Sequence, residues 1–315
     1  MNKKSVADRI RDDIRSYLKS NFEVDCEGDV WQAIANQHGR SLKRVYNLAG
    51  QIKKEMDHTA QKRAKSNPAQ SIERRLIVSD LHYPFHHKLA LQNVYQLLHD
   101  YDFAEIFLNG DILDCYSISS FERDPRKPLL SDEIEGAKAI IKKIRDLQPA
   151  ANIHFIEGNH EHRLSRLVSA NPGLYGLEVL TWPRLLSLPD LDISYTKYKD
   201  HITTLGDVQI THGDIVRKHA GYSAKGHLLD RGYQNVIHGH THRMGAYHQT
   251  GVIGHRRAFE IGGLYDRDQA DYVVNPNWQN GFCVIEGDEE QYQINLIEVD
   301  AENGSFIYGG NFYDV

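Results

Sequence analysis

From residue 74 onward, short apolar runs stop one after another at turns that carry a carboxylate or an imidazole. RRLIVSD (74–80), FAEIFLNGD (103–111) and NIHFIEGN (152–159) are separated by KLALQNVYQLLHD (88–100) and DEIEGAKAIIKKIRDLQ (132–148). The first three have strand composition, and the two spacers repeat their apolar residues at helical intervals. Strand, helix, strand, helix, strand implies parallel pairing, because parallel neighbours need a long crossover where antiparallel ones need only a tight turn. Later runs (DISYTKY, DVQITHGD, NVIHGHTH, RRAFEIGG, GFCVIEGD and YQINLIEVD) are strand-like with shorter connections. The pattern predicts an α/β domain over 74–315: two sheets stacked as a sandwich with helices outside. A chain of 315 residues has room for that domain plus a small one.

The small one is expected at the start. SVADRIRDDIRSYLKS sets Val6, Ile10, Ile14 and Leu18 on one helical stripe. Trp31, Ile34 and Ala35 fit a further helix closed by Gly39, and Ser41 can N-cap another bearing Leu42, Val45, Leu48, Ala49 and Ile52. Helix, short glycine turn, helix predicts a helix-turn-helix-like module over 1–65. A polar linker with Asn67-Pro68 follows at 66–73. Charge divides along the same line. Residues 1–75 hold 16 Lys and Arg against 10 Asp and Glu, hence +6, while the remainder holds 21 against 33, hence −12. Lys43, Arg44, Lys53, Lys54, Lys62, Arg63 and Lys65 can meet phosphates, so nucleic acid is the expected partner of this segment. A packing or oligomerisation module with a solvated basic face is the alternative, and a homo-oligomer is compatible with it.

The turns carry the chemistry. They read Asp80-Leu81-His82, Gly110-Asp111-Ile112-Leu113-Asp114, Gly158-Asn159-His160-Glu161, Thr211-His212-Gly213-Asp214 and Gly239-His240-Thr241-His242. In open α/β sheets, ligands gather beyond the carboxyl ends of strands. One such turn means little, but five in succession exceed what packing asks for. Carboxylates mixed with imidazoles suit Mn²⁺, Fe²⁺, Zn²⁺ or similar ions, and the absence of thiolates argues against a structural zinc knot. Seven candidate ligands with one shared carboxylate make two sites of four ligands each. Two cations about 3.5–4 Å apart can clamp a phosphoryl group and generate hydroxide near neutral pH. VIHGHTHRM (236–244) spaces His238, His240 and His242 at every second residue, as on one face of a strand. His238 is expected to sit behind the ligands or in the core.

DLH, GDILD, GNHE, THGD and GHTH, in that order, resemble the five motifs of the calcineurin-like metallophosphoesterases over about residues 74–315. GNHEHRLSRL, THGDIVRKHAGYSAKGHL, VIHGHTHRMGAY and NPNWQNGF are further similar to phosphoesterases of bacteriophages and prophages. The resemblance implies that Asp80, His82 and His242 hold one metal, that Asn159, His212 and His240 hold the other, and that Asp111 bridges them. It implies two divalent ions, with Mn²⁺ expected and Fe, Zn, Ni or Mg compatible, and a bridging hydroxide attacking phosphorus in line. His160 would touch the phosphate and protonate the leaving oxygen, with Asp114 orienting it.

Arg163 and Arg166 have the spacing of neighbours on a helix face and could grip a phosphate; a surface ion pair is the alternative. Arg217, Lys218 and Lys225 could wall a basic groove or simply face water. His86, His87, His219 and His227 read as polar loop residues, while Tyr83, Phe85 and Tyr116, near the ligand turns, read as packing, with stacking on a base as the alternative. Protein Ser/Thr phosphatases of the family place an arginine after the second aspartate of GDxxD, where this chain has Cys115. The first motif also continues YPF. Both departures turn the reading from phosphoproteins toward a phosphodiesterase or nuclease acting on nucleic acid. A small-nucleotide or cyclic-nucleotide phosphodiesterase is the alternative, then a Ser/Thr phosphatase, then a DNA-binding factor without catalysis. Cys26, Cys115 and Cys283 form no disulfide pattern, no apolar stretch reaches membrane-spanning length, and the N-terminus lacks a signal peptide's apolar core. A reduced cytoplasmic setting is expected.

Overall fold

The computed structural model describes residues 72–120, 124, 126–252, 254–269 and 276–315, and in the N-terminal segment 10, 12–14, 27–39, 41–43, 45, 48 and 49. They divide into two compact units, one below residue 50 and one from 72 onward. In the first, helix α1 (Glu27–Gln37) ends before Gly39, whose φ of +60° is the left-handed turn that glycine accepts most readily. Ile10, Ile14, Trp31, Ile34, Ala35, Val45 and Ala49 bury one another. These are residues of the three apolar stripes expected from sequence. Lys43 is exposed. Leu18, Ile52, Arg44, Lys53, Lys54, Lys62, Arg63 and Lys65 lie outside the described residues, and with them most of the basic face.

The second unit runs β1 (Arg74–Val78), α2 (Lys88–Asp100), β2 (Glu105–Asn109), α3 (Leu130–Leu147), β3 (Asn152–Ile156), α4 (His162–Ala170), α5 (Trp182–Leu185) and β4 (Ile193–Thr196). There follow β5 (Ile202–Thr204), β6 (Val208–Thr211), α6 (Tyr222–Asp230), β7 (Asn235–His238), β8 (Met244–Gly251) and β9 (Gly254–Ile261). The chain closes with β10 (Gly281–Gly287), β11 (Tyr292–Glu298), β12 (Phe306–Tyr308) and β13 (Asn311–Tyr313). One sheet has the order β11-β10-β1-β2-β3-β4, with β1 to β4 mutually parallel and β10 and β11 antiparallel at one side. The other has the order β5-β6-β7-β9-β8, parallel through β6, β7 and β9.

Alternation along the strands builds the layers. Ile77, Phe107 and Ile156 face inward and meet Val208, Ile210, Ile237, Phe259 and Ile261 of the second sheet. Their neighbours Leu76, Val78, Ile106, Leu108, Ile153 and Phe155 face the other way, onto Leu91, Val94 and Leu97 of α2 and Ile140, Ile141 and Ile144 of α3. On the far side, Ala224 and Leu228 of α6 cover Val236 and Ala258. The result is helix, sheet, sheet, helix, the sandwich expected from the sequence. Strands β5, β8, β12 and β13 were not anticipated. Strand β8 has no buried residue and alternates exposed with half-buried positions, so it lacks an apolar run to read. Among the described residues no helix is long and apolar enough to cross a membrane.

Because β1, β2 and β3 run parallel in one sheet and β6 and β7 in the other, five strand ends deliver their turns in succession. Asn109 ties the two sheets there. Its Nδ2 donates to the Thr211 carbonyl at 3.0 Å, and its own carbonyl oxygen accepts from His212 Nδ1 at 2.8 Å. Phe107 lies fully buried between the sheets, stacked at 4.8 Å on His154. Truncating Phe107 to Ala is expected to cost about 3–5 kcal/mol, read as a lower denaturant midpoint. A loss below about 1 kcal/mol would mean that the two sheets do not share this core.

Candidate metal centre

The ligand turns leave ordinary backbone geometry. Asp80, His82, Asp111, His240 and His242 all have positive φ, between 50° and 68°. L-residues seldom adopt that region, and such positions cluster where a side chain must be aimed against local preference. Strand β7 ends at His238, so His240 and His242 reach the site from a bend and not from one strand face. Two glycines make room for the carboxylates. A Cβ on Gly158 would lie 2.2 Å from Asp111 Oδ1, and one on Gly239 would lie 2.4 Å from Asp80 Oδ2.

Donor atoms converge in two groups, Asp80 with His82 and His242, and Asp111 with His212 and His240, while Asp114 and His160 form a third around the shared His82. Within the first, His242 Nε2 lies 3.2 Å from Asp80 Oδ1 and 3.0 Å from His82 Nε2. Within the second, His212 Nε2 lies 3.3 Å from Asp111 Oδ2 and 3.1 Å from Asn159 Oδ1. Asp111 Oδ2 is also 3.8 Å from His82 Nε2, so this one carboxylate borders both groups. Backbone amides fix the anions, His160 N–H donating to Asp111 at 2.9 Å and His240 N–H to Asp80 at 3.0 Å.

The fit to cations rests on where the imidazole protons go. His82 Nδ1 is 3.0 Å from the Asp114 carboxylate and His212 Nδ1 is 2.8 Å from the Asn109 carbonyl. Each partner accepts, so a proton belongs on Nδ1; Nε2 of His82 turns a lone pair into the site, and Nε2 of His212 does so once its second proton is displaced. A remote acceptor fixing the tautomer is the usual arrangement of a metal-ligating histidine. Two ring nitrogens face each other at 3.0 Å beside two carboxylates, an assembly of acceptors that a cation satisfies. His240 and His242 each keep a buried Nδ1 without a partner.

Charge is concentrated accordingly. Burial alone would raise the Asp80 carboxyl, yet the adjacent His242 and His212 bring it down to about 2. Burial works the same way on Asp111, and His212, His160 and His82 overcome it, holding that group well below its usual range. Burial opposes protonation of His212, but Asp111 lifts it to about 10. A cation binding there would displace that proton. His240 moves down to about 4 through burial and the neighbouring His212.

His160 stands beside both groups. Its Nδ1 is 2.7 Å from the Asp114 carbonyl oxygen and 3.2 Å from Asp114 Oδ1, and its Nε2 is 4.0 Å from Asp111. Burial lowers its affinity for a proton, while Asp111 and Asp114 more than restore it, for a net upward shift. Asp114 therefore serves two imidazoles, and its shorter carboxylate contact is to His82 and not to His160. Arg163, half-buried on α4, donates to the Asp114 carbonyl at 2.8 Å and places Nη2 3.0 Å from His160 Nε2. It is no surface ion pair. Arg166 is exposed. The Arg217 guanidinium is 2.9 Å from Asp230 at the surface, and Lys218 is exposed; among the described residues neither contacts the donor groups.

Several residues gain roles that the sequence did not suggest. Glu161, fully buried, accepts from the amides of Asp111, Gly158 and Leu113, each at 2.9 Å, and so shapes two ligand turns at once. Burial and the Asp111 charge push its carboxyl up to about 7. Trp278 packs its ring 4.4 Å from His242, and Tyr265 lies 5.1 Å from His82. His238 is buried behind the ligand bend at 4.2 Å from His227. His227 lies in helix α6, and His87 N-caps α2 by accepting from Ala90 N–H at 3.2 Å, so neither is the plain loop residue expected. His86 stacks on Tyr83 at 5.3 Å. Cys115 and Cys283 are buried and free.

No protein-family model matches the chain. Its sequence is similar to the Gene 54 proteins of Mycobacterium phages D29 and L5, at 26% and 25% identity over 263 residues, covering 77% of this chain and 99% of each relative. Among solved structures, Vps29 complexed with Zn²⁺ from Entamoeba histolytica aligns with a TM-score of 0.41 at 13% identity, covering 76% of this chain and 95% of that one. A conserved Streptococcus pneumoniae protein, described as a predicted phosphoesterase, gives a TM-score of 0.31 at 14% identity, covering 73% and 91%.

Gly158→Ala should drive a methyl group into the Asp111 carboxylate and weaken divalent-ion binding by about 10–100-fold in a calorimetric titration, the loss typical when a ligand's support is disturbed. Gly173→Ala, where an added Cβ meets nothing within 4 Å, is the control. Equal affinity in the two variants would contradict the role given to Gly158.

Proposed function

We propose that the chain is a dinuclear metal-dependent phosphoester hydrolase of the calcineurin-like kind, acting on phosphodiesters of nucleic acid. The observation that carries this reading is the position of Asp111, whose Oδ2 lies 3.3 Å from His212 Nε2 and 3.8 Å from His82 Nε2, shared by both donor groups. Asp80, His82 and His242 would hold one divalent ion, Asn159, His212 and His240 the other, with Asp111 common to both. Such a pair supplies a nucleophile at neutral pH and neutralises charge on the transferring phosphoryl group. The oxygen and imidazole donors suit Mn²⁺, and Fe, Zn, Ni or Mg also match them.

The protein's own residues do the rest. Asp111 and Asp80 remain ionised, and amides hold them in place. His82 is locked by Asp114. Arg163 occupies His160 Nε2 in this structure; an arriving phosphate, a stronger acceptor for a guanidinium, draws Arg163 to itself and frees Nε2. The freed Nε2, on a ring that Asp111 and Asp114 lift above its ordinary range, takes up a proton from solvent and delivers that proton to the leaving oxygen. Arg163 also donates toward the Cys115 carbonyl at 3.4 Å.

Support for nucleic acid comes from the basic first 75 residues and from relatives encoded by phages. With Mn²⁺ loaded, elemental analysis should find two ions per chain, and the protein should hydrolyse both bis(p-nitrophenyl) phosphate and DNA. Asp111→Ala should lose one ion or both and at least about 100-fold of the rate. Activity equal to the parent's would remove the hydrolase reading, whereas turnover of cyclic nucleotides without DNA cleavage would replace nucleic acid by small nucleotides. His160→Ala should slow a diester with an alkyl-alcohol leaving group about 10²–10⁴-fold, but one releasing p-nitrophenolate far less, since the latter departs without a proton. Equal losses on both would show that His160 is not the acid.

A further inference from the structure

Beside the metal centre lies a cavity of about 700 Å³, within the range of small-ligand sites, and the proposed chemistry makes no use of it. The half-buried Tyr195 and Tyr198 give it aromatic walls, Trp182 borders it with only 2% of its surface exposed, and Glu157, likewise 2% exposed, contributes a carboxylate. Glu157 accepts from the Tyr195 hydroxyl and from Tyr198 N–H at 3.4 Å, and its Oε1 is 3.2 Å from His162 Nδ1. A carboxylate offers about four acceptor positions, so one remains for a ligand N–H. At the rim, the Lys197 side chain is exposed and has no partner among the described residues, while Arg184 is 3.5 Å from Glu178.

The cavity is joined to the donor groups through its walls. The Tyr198 ring is 5.1 Å from His162 and 6.4 Å from His212, and Trp182 Nε1–H donates at 2.7 Å to the carbonyl of Glu161. The Tyr198 hydroxyl has no hydrogen-bond partner among the described residues. Burial, Asp214 and Asp111 push it up to about 12, so it stays a neutral donor.

Resting on the hydrolase reading above, we propose that this cavity receives the nucleobase next to the scissile phosphate. The base lies against the tyrosine walls with an N–H edge toward Glu157, the backbone passes the cationic rim, and Tyr198 O–H donates to a substrate oxygen between cavity and donor groups. A phosphoserine side chain has no planar N–H edge for such a site, and a bare phosphate has no use for its walls.

The test compares guanosine 5′-monophosphate with ribose 5-phosphate, followed by the fluorescence of tryptophan in the full-length, Mn²⁺-loaded protein. The nucleotide should bind at least about tenfold tighter, the scale of one base stacked on protein aromatics. Ser165→Trp, which fills the cavity from α4, should abolish that preference while the chain keeps two ions. Tyr198→Phe should retain it, and Tyr198→Leu should reduce it. Equal binding of the two phosphates, a preference that survives Ser165→Trp, or tighter binding of a phosphoserine peptide overturns the proposal. In kinetics, Ser165→Trp should lower the ratio of kcat/KM for guanosine 5′-(p-nitrophenyl phosphate) over bis(p-nitrophenyl) phosphate about tenfold, and an unchanged ratio overturns it. If the parent hydrolyses neither diester, the hydrolase reading fails, and the binding comparison still decides the cavity.

Discussion

The site depends on placing an ionised carboxylate, Asp111, where almost no water reaches it. Burying a lone anion is among the costliest steps in folding, and this one has Asp80 and Asp114 for company. The chain meets the cost in three ways. Amides of His160 and His240 donate to the carboxylates. Imidazoles surround them, and His212 carries a proton up to about pH 10. Glu161, the next carboxyl inward, is pushed up to about 7 and so resists adding its own charge. Neutralisation by protonated histidine is a substitute for which divalent cations are the better answer, because they satisfy both carboxylates and the unprotonated ring nitrogens together.

That arrangement is imposed on the backbone. Five ligand candidates sit at φ between 50° and 68°, where each non-glycine residue costs of the order of 1–3 kcal/mol. Strain of this kind persists only where surrounding structure determines the chain path from several sides. Here the determinants are the buried parallel strands on both sides of the inter-sheet core, the Asn109 tie between sheets, and the three amides gathered by Glu161. The turns are therefore aimed by the core, and the core owes its stability to apolar layers distant from the charge.

The layers and the ligand turns were legible in the sequence because both write themselves as local patterns. Leu76-Ile77-Val78 and Ile106-Phe107-Leu108 are continuous apolar runs because both faces of the strand are covered, and each turn pairs a polar ligand with glycine or a second ligand. What escaped reading depends on distance in the chain. Glu161 gathers the amides of Asp111 and Leu113, some 50 residues away, and no spacing announces it. Asp114 was expected to orient His160, but only the three-dimensional positions show its shorter carboxylate contact at 3.0 Å to His82. Strand β8 alternates exposed Ala246, His248 and Thr250 with half-buried Gly245, Tyr247 and Gln249, but glycine and glutamine on the covered face leave no apolar alternation to read. Arg217, read as either a groove wall or a solvated residue, has Asp230 as its neighbour at the surface, a partner that its spacing after the THGD turn does not announce.

The charge distribution poses a last problem. A domain carrying −12 outside the first 75 residues repels a polyanionic strand, and that repulsion acts over roughly 8 Å at physiological ionic strength. Much of the negative charge is screened or paired, as with Asp214, which meets both Arg231 and Lys199. Local cations then matter more than net charge: Arg163 beside His160 and Lys197 at the cavity rim are positive, and on the proposed reading two divalent ions would join them in turning one face of an acidic body attractive. On the proposed reading, the basic N-terminal segment adds attraction that is independent of sequence, and the metal centre with its cavity selects what is cut. Affinity and chemistry would thus be divided between segments of opposite charge, which lets the catalytic domain keep the carboxylates its cations require.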